Sequence, residues 1–303
     1  SMNKPLSYYT IALAAVLTVA IFASYSDQPA EQISLDDTAI PQVIKPVDLD
    51  RPFDFAGERL PMDNFDVRER LDRELLVNTY WHSNTVLNIK NAYKFFPMIE
   101  RKLREHGVPE DFKYLAVAES GLRNAVSPAG ARGLWQFLHS TAEEYGLEVN
   151  REVDERYHYE KATDAACRMF KRYHRKFGSW TLVAGAYNAG YGRISRELET
   201  QRAETYYDLN LNAETSRYVF RLVAIKEILD RPRDFGFYIE ENHRYPPMTN
   251  YETVTVTESI PNLGDFAREY GTTYRMLKVY NPWLLDSSLT ISRGNSYEIK
   301  IPK

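Results

Sequence analysis

Between Asp63 and Asn242 apolar residues recur at three- and four-residue steps, the spacing of one face of a helix. Phe65, Leu71, Leu75, Leu76 and Tyr80 open the series. Val86, Ile89, Tyr93, Phe96, Ile99 and Leu103 continue it to a stop at Gly107, and Val108-Pro109 opens the next helix. Ser140 with Glu143 reads as a capping box. Tyr159 to Phe177 reads as one long helix ended by Gly178, and Ser179 is placed to cap the helix that begins at Trp180. Tyr218, Leu222, Ile225 and Leu229 then follow before Pro232 ends the run. The pattern predicts a helical domain over 63–243, of ordinary domain size at about 180 residues.

The pattern changes at both ends. Tyr251, Thr253, Val254, Thr255, Val256 and Thr257 are β-branched or aromatic, and Tyr297, Ile299 and Ile301 alternate with polar residues, so two strands are predicted there. Leu263, Phe266, Ala267, Tyr270 and Met276, Leu277, Tyr280 predict two short helices between them, giving a small βααβ domain over 250–303. The expected fold class is therefore mainly α, with a small α+β unit at the C-terminal end. At the other end, Pro5 to Ser26 contains no charged residue, and its densest part, Ile11 to Ala23, fits a signal peptide or a membrane anchor over 1–26. Small residues at Ala20 and Ala23 offer a poor cleavage site, so both readings stand, and either puts the working parts outside the cytoplasm. The absence of a cysteine just after this stretch argues against a lipid anchor. Residues 27–62 carry Pro29, Pro41, Pro46, Pro52 and Pro61 without a sustained period and read as a proline-rich linker.

Composition narrows the function. The 303 residues carry a net charge of -4, so no basic excess marks a nucleic-acid partner. One cysteine, Cys167, forms neither an intramolecular disulfide nor a multi-thiolate metal site, and its apolar neighbours make it a buried structural residue. Aromatic residues make up 13%, and the 22 tyrosines among them supply flat faces with polar rims that suit a ligand both stackable and rich in hydroxyls. Neither the zinc-protease, dithiol and nucleophile-elbow motifs nor a phosphate loop is found, since Tyr191 follows Gly190 where such a loop needs lysine. The six histidines are dispersed without ligand spacing. No metal or other cofactor is called for.

A carboxylate in an unusual setting remains. Glu119 ends the apolar stretch Tyr114-Leu115-Ala116-Val117-Ala118, immediately before Ser120-Gly121. A partly buried acid there would hold its proton near neutral pH, as a general acid for glycosidic cleavage must. Local sequence alone favours the plainer reading, a solvated helix-end glutamate.

Three ordered motifs change that balance: Ala118-Glu119-Ser120-Gly121, then Ser127-Pro128-Ala129-Gly130-Ala131-Arg132-Gly133-Leu134-Trp135-Gln136-Phe137, then Ala186-Tyr187-Asn188-Ala189-Gly190. With Val153-Asp154-Glu155-Arg156 and Glu214-Thr215-Ser216-Arg217-Tyr218-Val219, they resemble lytic transglycosylases with a goose-lysozyme-like catalytic domain, of the membrane-bound murein transglycosylase D type, over roughly residues 90–235. The resemblance implies a lysozyme-like domain that cuts the β-1,4 bond between N-acetylmuramic acid and N-acetylglucosamine in peptidoglycan of the bacterial cell envelope. Glu119 would act as single acid and then base, leaving 1,6-anhydro ends. It further implies that Ser127, Gln136, Tyr187, Asn188 and Tyr218 bind or orient the substrate. A hydrolytic muramidase on the same fold and a non-catalytic peptidoglycan-binding protein are the alternatives. For Ser127 and Gln136, hydrogen bonding within the turn itself is the plainer role.

The sequence departs from these relatives at His139, where proline is usual. Asp154 and Glu155, beside Arg156, read as ion-pair or helix-start residues rather than a second catalytic pair. The basic stretch Arg168, Lys171, Arg172, Arg175, Lys176 reads as a solvated helix face. The C-terminal βααβ unit resembles a LysM module, which would bind N-acetylglucosamine-containing glycan. Its usual Gly-Asp-Thr turn is replaced by Glu258-Ser259-Ile260-Pro261-Asn262, and a structural cap on the helical domain is the other reading. Peptidoglycan strands are the expected partner, together with a membrane if the N-terminal segment is retained.

Overall fold

The computed structural model describes residues 45–303, so the leader or anchor expected over 1–26 and most of the expected linker lie outside the described residues. Among the described residues no helix is long and apolar enough to cross a membrane.

Helices α1 (Phe65–Tyr80) and α2 (His82–His106) form where the periodic pattern predicts them. Asn64 caps α1 by accepting from the Asp66 amide, and Gly107 ends α2 at φ +67°, a left-handed conformation that costs glycine no Cβ clash. A 3₁₀ turn leads into α3 (Lys113–Ser120), which buries Tyr114, Leu115, Ala116 and Val117 and stops at Gly121. Short α4 (His139–Glu144) precedes α5 (Tyr159–Phe177), and Ser179 caps α6 (Trp180–Ala189) through the Leu182 amide. Next come α7 (Tyr191–Gln201) and α8 (Ala213–Asp230). Helix α8 is buried over most of its circumference, enclosing Tyr218, Val219, Phe220, Leu222, Val223 and Ala224. Such a helix belongs at the centre, and α1, α3 and α6 pack around it.

Two expectations are corrected. The linker expected to run to residue 62 ends earlier, because the compact unit begins at Pro46. A small hairpin, β1 (Asp54–Phe55) with β2 (Glu58–Arg59), turns at Ala56 and Gly57 and inserts Phe53, Phe55 and Leu60 into the helical core. The Glu58 carboxylate then accepts from the backbone N–H groups of Trp180 and Thr181, which anchors the hairpin on the start of α6. The second correction concerns Ser140, which makes no cap. Helix α4 starts two residues earlier than a cap at Ser140 would place it, with the Ala142 amide bonded to the Leu138 carbonyl, and this register buries Ala142.

The C-terminal unit has the βααβ order. Strands β3 (Tyr251–Val256) and β4 (Tyr297–Pro302) pair antiparallel from Tyr251 with Pro302 to Val256 with Tyr297, around α9 (Leu263–Glu269) and α10 (Tyr274–Tyr280). Its apolar core is shared: Val153 and Tyr157 of the helical domain lie among Leu263, Leu277, Leu284 and Ile299. A backbone bridge joins Val153 to Leu284, and the Asp154 amide donates to the Trp283 carbonyl at 2.9 Å. The two units are thus built as one body.

Candidate active site

Helix α3 sets the position of the acid. Its apolar residues must face α8, which puts Glu119 in the last turn, half-buried where the two helices meet. From α8 the buried Tyr218 hydroxyl donates to Glu119 Oε1 at 2.5 Å. Burial raises the Glu119 carboxyl above the ordinary carboxylate range, opposed by the Tyr218 hydrogen bond and the Arg221 charge and reinforced by Glu214. The negative end of the α3 dipole acts in the same direction as burial. Desolvation wins, so a proton is held at higher pH than on a surface glutamate.

Residues 121–138 fold into a loop tied to α3. Ser120 Oγ donates to the Leu134 carbonyl at 2.9 Å, and single-residue bridges join Val126 to Arg132 and Arg132 to Phe137. Ser127 Oγ accepts from the Ala131 amide at 3.0 Å, closing the turn. Gln136 stands at φ +52°, with its side-chain amide donating to the carbonyls of Ala125 and Gly133. The first duty of both side chains is the shape of the loop. The Ser127 O–H and Gln136 Oε1 take no part in these hydrogen bonds. Buried Trp135 anchors the loop on α5 through Nε1 to Thr163 at 2.9 Å, and its carbonyl accepts the hydroxyl of Tyr187. Glu119, Tyr187 and Tyr218 converge: burial and the nearby Glu119 charge push both phenols up, so both stay neutral donors. Asn188, the next residue on α6, is half-buried.

Several supporting residues escape sequence reasoning. Arg156 bonds bidentately to buried Asp154, Nε to Oδ1 at 2.8 Å and Nη2 to Oδ2 at 2.7 Å, and its Nη1 reaches the carbonyls of Gly130 and Phe137. The ion-pair role of Asp154 is present, together with a brace on the loop. Glu155 accepts from the Glu148 amide and pairs with Lys161, away from the acid. Gly133 is needed here, since a Cβ would lie 1.9 Å from the Arg156 carbonyl oxygen. On α8, Arg221 Nε lies 3.6 Å from the buried Glu74 carboxylate of α1, one turn beyond Tyr218, and fixes the helix that carries it. The buried Glu74 on the apolar stripe of α1, between Leu71 and Leu75, was the available signal.

A lysozyme-like helical domain with a half-buried glutamate held by a buried tyrosine, fused to a βααβ unit, is the class of protein that this geometry defines. Comparison with known families makes it particular: residues 96–210 match the Transglycosylase SLT domain, and residues 252–303 match the Soluble lytic transglycosylase C-terminal LysM-like domain. Two curated relatives, both Membrane-bound lytic murein transglycosylase D, from Escherichia coli K12 and from Escherichia coli O6:H1, are 28% identical over 258 residues, or 82% of this chain. The chain spans 55% of the length of those relatives. A solved structure of an inactive mutant of lytic transglycosylase Slt from Pseudomonas aeruginosa is 21% identical over 49% of this chain and 26% of that one, with a TM-score of 0.39.

Proposed function

We propose that this chain cleaves the β-1,4 bond between N-acetylmuramic acid and N-acetylglucosamine in peptidoglycan, with Glu119 as the single acid and then base. The observation that carries the reading is the Glu119–Tyr218 pair: a carboxyl raised by burial and held on one oxygen by a neutral phenol. Because Tyr218 donates to Oε1, the proton to be transferred sits on Oε2. Glu119 gives it to the leaving glycosidic oxygen, and the substrate N-acetyl group supports the cation that forms. The carboxylate then takes the proton of the muramoyl 6-hydroxyl as that oxygen closes on the anomeric carbon. The product is a 1,6-anhydro end, lighter by one water than a hydrolytic end.

Two observations support single-carboxylate chemistry. Glu214, a carboxylate whose charge reaches Glu119, is bound to Arg221 at 3.0 Å, and the Asp154 and Glu155 carboxylates are engaged elsewhere. Ser127, Gln136, Tyr187 and Asn188 would line the sugar path, and Tyr218 would set the acid. The LysM-like unit would hold the same glycan. The protein would work in the bacterial cell envelope, exported or tethered by its N-terminal segment.

Digestion of purified sacculi tests this. Mass analysis of fragments from the wild type is expected to show anhydro ends, with release falling at least about 100-fold in Glu119→Gln. Reducing ends would replace the proposed reaction with hydrolysis. Equal release by wild type and variant would remove Glu119 from the chemistry.

A further inference from the structure

Where the LysM-like unit meets α2 and α5 there is a crevice of about 220 Å³. Its walls carry Lys94 and Arg101 of α2, Tyr159 of α5, and Tyr251, Tyr280 and Lys300 of the C-terminal unit. Domain junctions are favoured places for ligands, yet this volume is below the roughly 300–1,000 Å³ that encloses a drug-sized molecule. It suits a short segment of something larger.

The charge of the walls points to an anion. The one carboxylate among the described residues of the walls, Glu160, is paired with Lys300, and Arg101 Nη1 lies 3.3 Å from Glu105, so Lys94 is the cation left without a counter-charge. Among the described residues Lys94 has no carboxylate within ion-pair reach, and its ammonium lies 5.7 Å from the centre of the Phe95 ring. Beside it are amphipathic faces: Tyr251 and Tyr280 meet edge-on at 5.9 Å, and Lys300 covers the Tyr251 ring. A cation beside aromatic walls with polar tips matches a peptide that bears carboxylates.

Position decides which peptide. The crevice is tied on two sides to the segment that follows the acid. Asn91 donates to the Gly121 carbonyl at 3.2 Å, and Lys94 is the next turn of the same face, a rise of about 4.5 Å. On the other wall, Asn124 donates to the Tyr159 hydroxyl at 3.2 Å. The face continues through Met98 to Arg101, about 15 Å from Asn91, so the crevice leads away from the acid along α2.

We propose that this crevice binds a short acidic peptide, the stem carried by a muramoyl sugar held near Glu119, with Lys94 meeting its carboxylate. The choice of stem rests on the proposed peptidoglycan chemistry, whereas the crevice and its preference for acidic peptides do not. One protein domain cuts while its junction with the next reads the substituent on the sugar.

The experiment uses the full chain and has two arms. In the first, a synthetic tetrapeptide with free side-chain and terminal carboxylates is titrated beside the same peptide with all carboxylates amidated, and backbone amide shifts are followed. Saturable shifts at Lys94 and Tyr251 with the acidic peptide, at least about tenfold weaker with the amidated one and with Lys94→Glu, are expected for one charge-assisted bond. Equal response to both peptides, or none, overturns the site. In the second arm, intact sacculi are compared with sacculi stripped of stems by an amidase. Lys94→Glu is expected to lower cleavage of intact strands about tenfold and to leave stripped strands within about twofold, with Lys94→Arg restoring the difference. An equal loss on both substrates overturns stem recognition. Failure of the wild type to cut either substrate overturns the catalytic reading instead, and the titration still decides the crevice.

Discussion

Replacing Tyr218 by phenylalanine isolates the part of the site that opposes burial. The hydroxyl donates to Glu119 Oε1 at 2.5 Å and so favours the ionised acid. No other phenol takes over, because the Tyr187 hydroxyl donates to the Trp135 carbonyl. A hydrogen bond to a charged group contributes about 1.5–3 kcal/mol, and about 1.4 kcal/mol corresponds to a tenfold change in a proton equilibrium. Removal of the hydroxyl should therefore make Glu119 harder to ionise. Since the protonated acid starts the proposed reaction, activity falls as pH rises through the Glu119 equilibrium. In Tyr218→Phe this basic limb of kcat/KM should move up by about one to two pH units. Rates of fragment release from soluble glycan strands at a series of pH values measure it, with thermal unfolding run on the same samples to correct for folded fraction. A limb that stays in place or moves down would refute the assignment of Glu119 as the acid and Tyr218 as its donor.

Glu119→Gln should unfold later than wild type in urea by about 0.5–2 kcal/mol at mildly basic pH. The raised carboxyl lets the folded wild type lose stability as pH rises out of the ordinary carboxylate range, so this margin should close on acidification. Asp154→Ala leaves the Arg156 guanidinium buried without its bidentate partner and should cost about 3–5 kcal/mol, measured by urea unfolding. A loss under about 1 kcal/mol would mean that the brace on the 121–138 loop is dispensable. His158 is stacked on Trp283 at 5.7 Å, and burial lowers its pKa from 6.5 to about 4 despite the nearby Glu160 charge. The folded state resists that proton, so stability present above pH 6.5 should decline between there and about 4, by up to about 3 kcal/mol. Trp283 fluorescence across a pH series reports the loosening of the junction, and His158→Gln should flatten the profile.

Much of the helical architecture was readable because its stops and caps are local. Gly107 and Gly178 donate to carbonyls, and Ser179 accepts from an amide, all within a few residues of themselves, which a linear pattern records. The Phe53–Leu60 hairpin was not readable, because strands of two residues give no period and the prolines around them mimic a tether. Its stability comes from partners more than 100 residues away, Glu58 on the start of α6 and Asp54 on Lys226, which lie 2.9 Å apart in the latter pair. Ser140 shows the opposite failure, a sound local signal overruled by packing. Starting α4 at His139 buries Ala142, and the exposed Ser140 then has no amide left to cap.

The site divides along the same line. Glu119 stood out because an acid at the end of an apolar helix is locally odd, but its donor Tyr218 is 99 residues away, and only the ordered motifs brought the two together. The brace on the loop had no local signal at all. Asp154 and Arg156 read as a nearby ion pair, and they are one, yet the same guanidinium holds Gly130 and Phe137 while the same segment bridges to Trp283 and Leu284. A structural cap and a glycan-binding module had stood as competing readings of the C-terminal unit. The continuous path from β4 and Trp283 through residues 153–156 to the 121–138 loop makes them compatible, since a unit that braces this loop could also, on the proposed reading, present a glycan strand to it.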